Sequence, residues 1–211
     1  MNGVRPIVDP PSLALIAQTW VAQMTGVDVE DTLQHLNNEA CDIAYGYGES
    51  SLGRFLTAVD DRGLCAVLFG DDEASMLEEL RRAFPGRTLE SSERAGCGNF
   101  VVNTVARLIE LPVVSIALPI STRDGDFEQM VRSALRLTKP GTTINPEEVV
   151  EMIGASPGSV PYVRACAAAD LLAVTVPFHR LQERDGTSPA YRWGEARRQA
   201  LLKREAGSRS A

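Results

Sequence analysis

Short apolar runs with strand character dominate the chain from residue 42 to its middle, and apolar residues at helical spacing dominate the second half. The runs Gly53–Val59 and Leu64–Phe69 flank an acidic turn that ends in Gly63, a pattern typical of a β-hairpin. From Glu73 to Phe84, apolar side chains recur every three or four positions and predict an amphipathic helix. This half therefore predicts a small strand and helix domain over residues 42–119.

Two further elements are predicted in the same domain. Helical spacing indicates a helix over Phe100–Ile109, and the apolar run Val113–Leu118 indicates a strand. Strands and helices mixed along one chain place the fold in the α/β (α+β) class.

The second half of the chain predicts three helices, over Phe127–Leu137, Asn145–Ile153 and Val160–Ala169. Asp126 and Ser159 are candidate N-caps for the first and third helices. Pro146 suits the first turn of the second helix, and the two acids that follow favour the positive end of its dipole. Two short helices joined by a brief turn predict helix-turn-helix geometry within a domain over residues 120–206.

Both ends of the chain lie outside these two domains. Residues 1–11 are rich in proline and predict a disordered start. A helix is predicted over residues 12–24, with Leu13, Ile16, Ala17, Trp20 and Met24 on one stripe, and a second helix over residues 28–40. The role of this extension over 1–41 stays open between extra packing and a docking surface for another protein through residues 12–40. Residues 207–211 form a short tail.

Charge argues against a broad basic surface for nucleic acid. The 211 residues have a formal net charge of −7 and a sequence pI of about 5.0. The stretch from His179 to Ala211 differs, with eight basic residues against four acidic ones. A solvated helix face with a frayed tail and a phosphate-contacting surface are both consistent with it.

Several classes of protein are excluded by what the sequence lacks. The four cysteines show no CxxC spacing, so neither a zinc knuckle nor a disulfide framework is expected. No apolar stretch reaches the ~18–20 residues of a membrane span, and the start lacks the layout of a signal peptide. We expect a cytoplasmic protein with no metal, no cofactor and no membrane partner.

A motif near the C-terminus points to a family. The run Pro177-Phe178-His179-Arg180, with Asp185-Gly186 and Tyr191-Arg192-Trp193-Gly194 after it, closely resembles the signature of the O6-alkylguanine-DNA alkyltransferases. Further matches are Ser51-Leu52-Gly53-Arg54, residues 61–68, Leu118-Pro119-Ile120 and the run from Tyr191 to Glu205. The resemblance covers about residues 42–206 and is closest to the alkyltransferase part of Ada-type proteins. It implies an N-terminal strand–helix subdomain followed by a helical, helix-turn-helix-containing C-terminal subdomain.

The resemblance places Phe178 where the family has its nucleophilic cysteine, in the motif Pro-Cys-His-Arg. A hydrocarbon ring has no lone pair to attack an alkyl group, so no catalytic set is intact. The family's activating partners match His179 and Glu205. Without a thiol to activate, these two residues are expected to be structural, with Glu205 holding His179 in one tautomer, and an acid–base role is the alternative.

The positions that handle DNA in the family also differ. The resemblance assigns Pro146 to a tyrosine that helps to rotate a phosphate and Pro161 to an arginine that intercalates as the base leaves the helix. Neither proline supplies those contacts. The remaining DNA-binding candidates are Arg164, Arg180 and Arg192, and Arg164 is also consistent with an ordinary surface residue.

The implied base pocket is lined by Phe178, Asp170, Ser188, Pro189, Ala190 and Tyr191. Asp170 stands at the family's hinge asparagine, and the small residues 188–190 resemble its Ser-Gly-Gly-like loop. Phe178 either fills this cavity as core or stacks on a captured flat ring. Cys65 and Cys166 have no histidine at motif spacing and are expected to be apolar filler rather than a substitute nucleophile.

These residues predict a catalytically inactive relative of O6-methylguanine-DNA methyltransferase, associated with DNA repair. Its expected partner is duplex DNA with alkylated guanine. The alternative is a protein-interaction or small-molecule-binding module that has lost DNA recognition. An active methyltransferase that uses another residue is the third possibility, and it is the least favoured.

Overall fold

A four-stranded mixed sheet forms the first part of the protein. The computed structural model describes residues 42–60, 62–92, 100–112, 120–121, 125–188 and 191–207. The strands β1 (Ile43–Ser50), β2 (Gly53–Asp60), β3 (Gly63–Phe69) and β4 (Leu89–Ser91) lie in the order β3-β2-β1-β4. The β1–β2 and β2–β3 pairs are antiparallel, and β4 runs parallel to β1.

The turn between β2 and β3 confirms the predicted hairpin. Asp60 Oδ1 accepts hydrogen bonds from the backbone N–H of Arg62 at 2.9 Å and of Gly63 at 3.2 Å. Gly63 has φ of 140°, a backbone conformation that favours glycine. The other Asp60 oxygen accepts from the Ser121 hydroxyl at 2.7 Å, which ties the turn to the segment that leads into the helical part.

Two helices, α1 (Glu73–Ala83) and α2 (Phe100–Glu110), pack on the sheet and match the two helices predicted for this half. Gly48 on β1 lets α2 approach closely, because an added Cβ would lie 2.7 Å from Val102 Cγ1 and would also clash with Phe55. The predicted strand over 113–118 lies outside the described residues.

The second part is helical, as predicted. It contains α3 (Asp126–Leu137), α4 (Pro146–Met152), α5 (Val160–Ala169) and α6 (Glu195–Gly207), with single 3-10 turns at Pro157–Ser159 and Phe178–Arg180. Helices α4 and α5 pack against each other across a short turn. This confirms the expected mixed fold of a sheet followed by a helical part.

Helix α4 begins with a complete capping box. The Asn145 side chain accepts from the Glu148 backbone N–H at 2.9 Å, and the Glu148 side chain accepts from the Asn145 N–H at 2.8 Å. The predicted cap Asp126 is wrong, because Gly125 is the N-cap of α3 and Asp126 is its first helical residue. Ser159 is the N-cap residue of α5, as predicted, but its side chain makes no capping hydrogen bond, and its φ and ψ are helical because a 3-10 turn precedes the helix.

The sheet and the helical part share one hydrophobic core. Strand β3 is buried along its whole length, and Val67 exchanges backbone hydrogen bonds with Leu171 at 2.6 Å and Ala173 at 3.2 Å. The predicted helices over 12–24 and 28–40 and the tail beyond 207 lie outside the described residues. In the part of the chain that the structure describes, no helix is long and apolar enough to span a membrane.

Candidate functional site

The carboxylate of Glu205 on α6 is the centre of a buried polar cluster. Glu205 has no exposed surface, and its oxygens accept from His179 Nε2 at 2.7 Å and from the Gly141 N–H at 2.7 Å. Arg180 reaches the same carboxylate, with Nη2 at 2.8 Å from Oε1 and Nε at 3.1 Å from both oxygens. Arg180 Nη1 also donates to the Thr138 carbonyl at 2.6 Å.

These contacts keep the carboxylate ionised. Burial alone would raise the pKa of Glu205, but the hydrogen bonds from His179 and Arg180 outweigh it and lower that pKa to about 2. The buried guanidinium supplies the compensating charge, so Glu205 and Arg180 form a buried ion pair that also fixes the imidazole.

The neighbouring imidazole of His179 is neutral and held in one tautomer. Burial lowers the pKa of His179 below its ordinary value of 6.5, and the hydrogen bond to Glu205 only partly opposes this shift. Because a carboxylate only accepts, Nε2 carries the ring proton and donates it to Glu205. Nδ1 is therefore an unprotonated nitrogen, and it is buried with no hydrogen-bond partner among the described residues. Such a nitrogen is able to take a proton from a neighbouring acid.

Phe178 begins the 3-10 turn that carries His179 and Arg180. Its side chain is 2% exposed and belongs to the shared hydrophobic core. This burial places the ring in the core of the protein, and its stacking on a captured flat ring stays a prediction.

Of the other implied pocket residues, Tyr191 packs against the 3-10 turn that carries His179. The Tyr191 ring packs edge-on to His179, with the ring centroids 6.4 Å apart, and its buried hydroxyl has no hydrogen-bond partner among the described residues. Asp170 is also buried, and its Oδ1 lies 3.3 Å from Arg132 Nη1. The pKa of Tyr191 is raised, first because the hydroxyl is buried and second because the charge of Asp170 is near. Ser188 is half-buried, and Pro189 and Ala190 lie outside the described residues.

The three candidate DNA-binding arginines all have partners within the chain. Arg164 makes a two-point ion pair with Glu183, at 2.6 and 2.8 Å, on the surface of the helical part. Arg192 bonds the Glu79 carboxylate on α1 and donates to the Ala168 carbonyl at 3.1 Å. The side chain of Arg180 is buried and its charge is paired with Glu205, which argues against the predicted contact with DNA. That contact stays a prediction.

The two prolines lie near helix starts, as expected. Pro146 is the first residue of α4 and is buried, whereas Pro161 is exposed in the first turn of α5. Both are compatible with the helical backbone there. What either position contributes to DNA recognition stays a prediction.

Two family models match the chain. The 6-O-methylguanine DNA methyltransferase, ribonuclease-like domain, matches residues 43–97, and the DNA binding domain of the same methyltransferase matches residues 126–207. The chain belongs to the O6-alkylguanine-DNA alkyltransferase family. The predicted family is thereby confirmed. The sheet, α1 and helices α3 to α6 fall within the matched ranges, whereas α2 lies between them.

Curated relatives of this alkyltransferase-family chain include two Ada proteins. It is 35% identical over 164 residues to the bifunctional transcriptional activator/DNA repair enzyme Ada of Escherichia coli, and 34% identical over 164 residues to the regulatory protein ada of Salmonella typhimurium. Each match covers 78% of this chain and 46% of the relative. The chain thus spans about half the length of these two proteins.

Solved structures show the same fold. The Mycobacterium tuberculosis O6-methylguanine methyltransferase superposes with a TM-score of 0.59 at 26% identity, covering 78% of this chain and 93% of that one. A structure of the Mycobacterium tuberculosis protein in complex with DNA gives a TM-score of 0.60 at 22% identity, over the same shares of the two chains.

Sequence analysis of this family member missed several residues around the motif. Arg198 on α6 is 1% exposed and donates to the Leu181 carbonyl at 3.3 Å. Val174 has φ of 67°, an uncommon conformation for a β-branched residue, in the loop that leads to the motif. The one signal available for Arg198 was its place three residues before Leu201 on the apolar side of α6. No sequence pattern indicated the backbone of Val174.

The buried cluster makes the stability of this family member sensitive to acid. The folded pKa of Glu205 is about 2 against an ordinary 4.5, so its contribution is complete above pH 4.5 and is lost as pH falls toward 2. That loss amounts to about 3 kcal/mol. The lowered pKa of His179 adds a loss that begins below pH 6.5, because the unfolded chain takes up that proton first.

Urea unfolding between pH 7.5 and 3 measures this dependence. We expect the free energy of unfolding to fall monotonically across the range, and the His179→Gln variant to lose the part that starts near pH 6.5. A flat profile from pH 6.5 to 5 in the unaltered chain would contradict the neutral, buried imidazole.

Proposed function

We propose that this chain is a catalytically silent member of its family that binds duplex DNA containing alkylated guanine without accepting the alkyl group. The proposal that the chain accepts no alkyl group depends on the position and burial of Phe178. The motif resemblance assigns it the nucleophile's place, and in the structure it is a buried hydrocarbon side chain directly before the His179 and Glu205 pair. Alkyl transfer to the protein needs a nucleophilic atom at that place, and a phenyl ring has none.

Two observations support DNA binding. Residues 126–207 match the DNA binding domain of 6-O-methylguanine DNA methyltransferase, and a structural relative has been solved in complex with DNA. Near Phe178, the buried Tyr191 hydroxyl lacks a hydrogen-bond partner among the described residues, so it is available to a base that enters the pocket. The proposal also keeps the predicted division into subdomains at residues 42–119 and 120–206.

Binding of the unaltered chain to two matched duplexes tests this function. The duplexes differ only in one O6-methylguanine, and the dissociation constants are measured by fluorescence anisotropy at low and at moderate salt. We expect about tenfold tighter binding of the alkylated duplex, equivalent to about 1.4 kcal/mol, and weaker binding of both as salt rises.

Two tyrosine variants test whether the preference for the alkylated duplex arises at Tyr191. Tyr191→Phe removes only the buried hydroxyl and is expected to reduce the preference, whereas Tyr45→Phe removes a hydroxyl from β1, outside the range that matches the DNA binding domain, and should leave it unchanged. Negligible and equal binding of both duplexes would overturn the proposal.

A second candidate function is an interaction module that no longer recognises DNA. The specific observation in its favour is that Arg164, Arg180 and Arg192 each bond a carboxylate of the same chain, so a phosphate would have to displace Glu183, Glu205 or Glu79. Failure of both duplexes to bind, together with a co-purifying ligand or partner, would favour this module.

A further inference from the structure

An apolar groove lies between α3 and the end of α4, away from the buried cluster of Glu205. Its volume is about 470 Å³, its apolar lining includes Met130, Ala134, Leu137, Met152 and Ile153, and its polar lining is Asp126, Gln129 and Ser133. The residues that line this groove do not include Glu205, His179, Arg180 or Phe178.

Large apolar side chains stand exposed around the groove. Leu137 is 77% exposed, Met152 50% and Met130 42%. Single exposed apolar residues are ordinary on protein surfaces, but three around one concavity indicate a binding surface. Methionines on both walls suit an apolar helix, because their flexible side chains adapt to its surface.

The chain itself contains a segment with matching chemistry. Residues 12–24 include no charged side chain, and Leu13, Ile16 and Trp20 recur at helical spacing. A helix of this composition must bury its apolar side to be stable in water. The neighbouring residues 28–40 contain four acids, which fit poorly in a groove whose lining includes the Asp126 carboxylate.

The connection to the sheet, when extended, is longer than the domain is wide. Residues 25–41 separate the segment from Asp42, the residue before β1. Seventeen residues span up to about 55–60 Å when extended, and about 35 Å if residues 28–40 are helical. A domain of this size is about 40 Å across. The tether also gives the segment a high effective concentration at the groove.

We propose that residues 12–24 form an amphipathic helix that docks into the groove between α3 and α4 of the same chain. The helix covers Leu137, Met152 and Met130 with the stripe that contains Trp20. The N-terminal extension is thus an intramolecular partner of the helical part.

Hydrogen exchange measured by mass spectrometry on the full chain tests the docking. The test variant is Leu137→Asp, on the α3 wall, and Met152→Asp alters the opposite wall. The matched control is Leu111→Asp, an exposed leucine (51%) that follows α2 and is not among the residues that line the groove. Because all three side chains are largely exposed, none of the substitutions should unfold the domain.

The expected result is protection of residues 12–24 in the unaltered chain that falls at least tenfold in Leu137→Asp and in Met152→Asp but not in Leu111→Asp. Absence of protection in the unaltered chain, or equal protection in all variants, would overturn the proposal. Protection that disappears on dilution, together with a dimer in sedimentation, would also overturn it, because a second copy would then fill the groove.

Discussion

Replacing Phe178 with cysteine is expected to give a chain that takes a methyl group from O6-methylguanine in duplex DNA. The structure retains the parts that would activate a thiol there. His179 is neutral, its proton is on the nitrogen that faces Glu205, and its buried Nδ1 is free of hydrogen-bond partners among the described residues. That nitrogen is suited to accept the thiol proton, directly or through a water, and thereby to form the nucleophilic thiolate.

The measurement is the mass of the intact Phe178→Cys protein after incubation with the alkylated duplex, followed over time. One methyl group per chain is expected. Adding His179→Gln to this variant should slow transfer about 100-fold or more, the usual range for loss of a general base. Phe178→Ser is the matched control, since it removes a similar volume from the core but supplies no thiolate.

Both substitutions at Phe178 remove a buried aromatic ring, and about 3–5 kcal/mol of stability is expected to be lost in each. Circular dichroism must therefore show that the two variants are folded to the same extent. A folded Phe178→Cys protein that binds the alkylated duplex and stays unmodified would contradict the claim that His179 and Glu205 still form a site able to activate a thiol.

Glu205→Gln is expected to cause the largest loss of stability of any single change that conserves side-chain shape. The carboxylate neutralises the buried Arg180 guanidinium and accepts from both His179 and the Gly141 N–H. A glutamine would leave Arg180 as an unpaired buried charge and would turn an N–H group toward other donors. Breaking one partner of a buried pair in this way costs about 3–5 kcal/mol.

Chemical denaturation at pH 7 measures this change in the free energy of unfolding. Lys203→Gln is the matched control, because it removes an exposed charge from the same helix and should alter stability by about 0.5 kcal/mol or less. A loss below about 1 kcal/mol in Glu205→Gln would contradict the buried ion pair.

Much of the fold could be predicted from the sequence, because its main elements have clear local patterns. The hairpin around Asp60 and Gly63 and the helix that begins at Asn145 both follow from turn and cap chemistry that acts within a few residues. Strand β4 could not be predicted with its partner, since three residues show no periodicity and their parallel pairing with β1 joins positions far apart in the chain.

The candidate site could be predicted only as far as the motif reaches. Resemblance paired His179 with Glu205, and the structure places them in contact. The sequence predicts Arg180 only as a candidate for DNA binding and does not predict its burial. Its burial follows from the packing of α6 against the 3-10 turn, which brings together residues 25 apart in sequence. The engagement of Arg192 with α1 likewise depends on how the two parts of the fold pack.

The central claim is that Phe178 leaves this family member without a group that accepts alkyl carbon. Intact-mass measurement of the unaltered protein, after incubation with an excess of duplex containing O6-methylguanine, tests it most directly. The expected result is an unchanged protein mass and full recovery of the alkylated base in the DNA. A protein heavier by one methyl group, with the modification mapped to Cys65, Cys166 or any other residue, would contradict it.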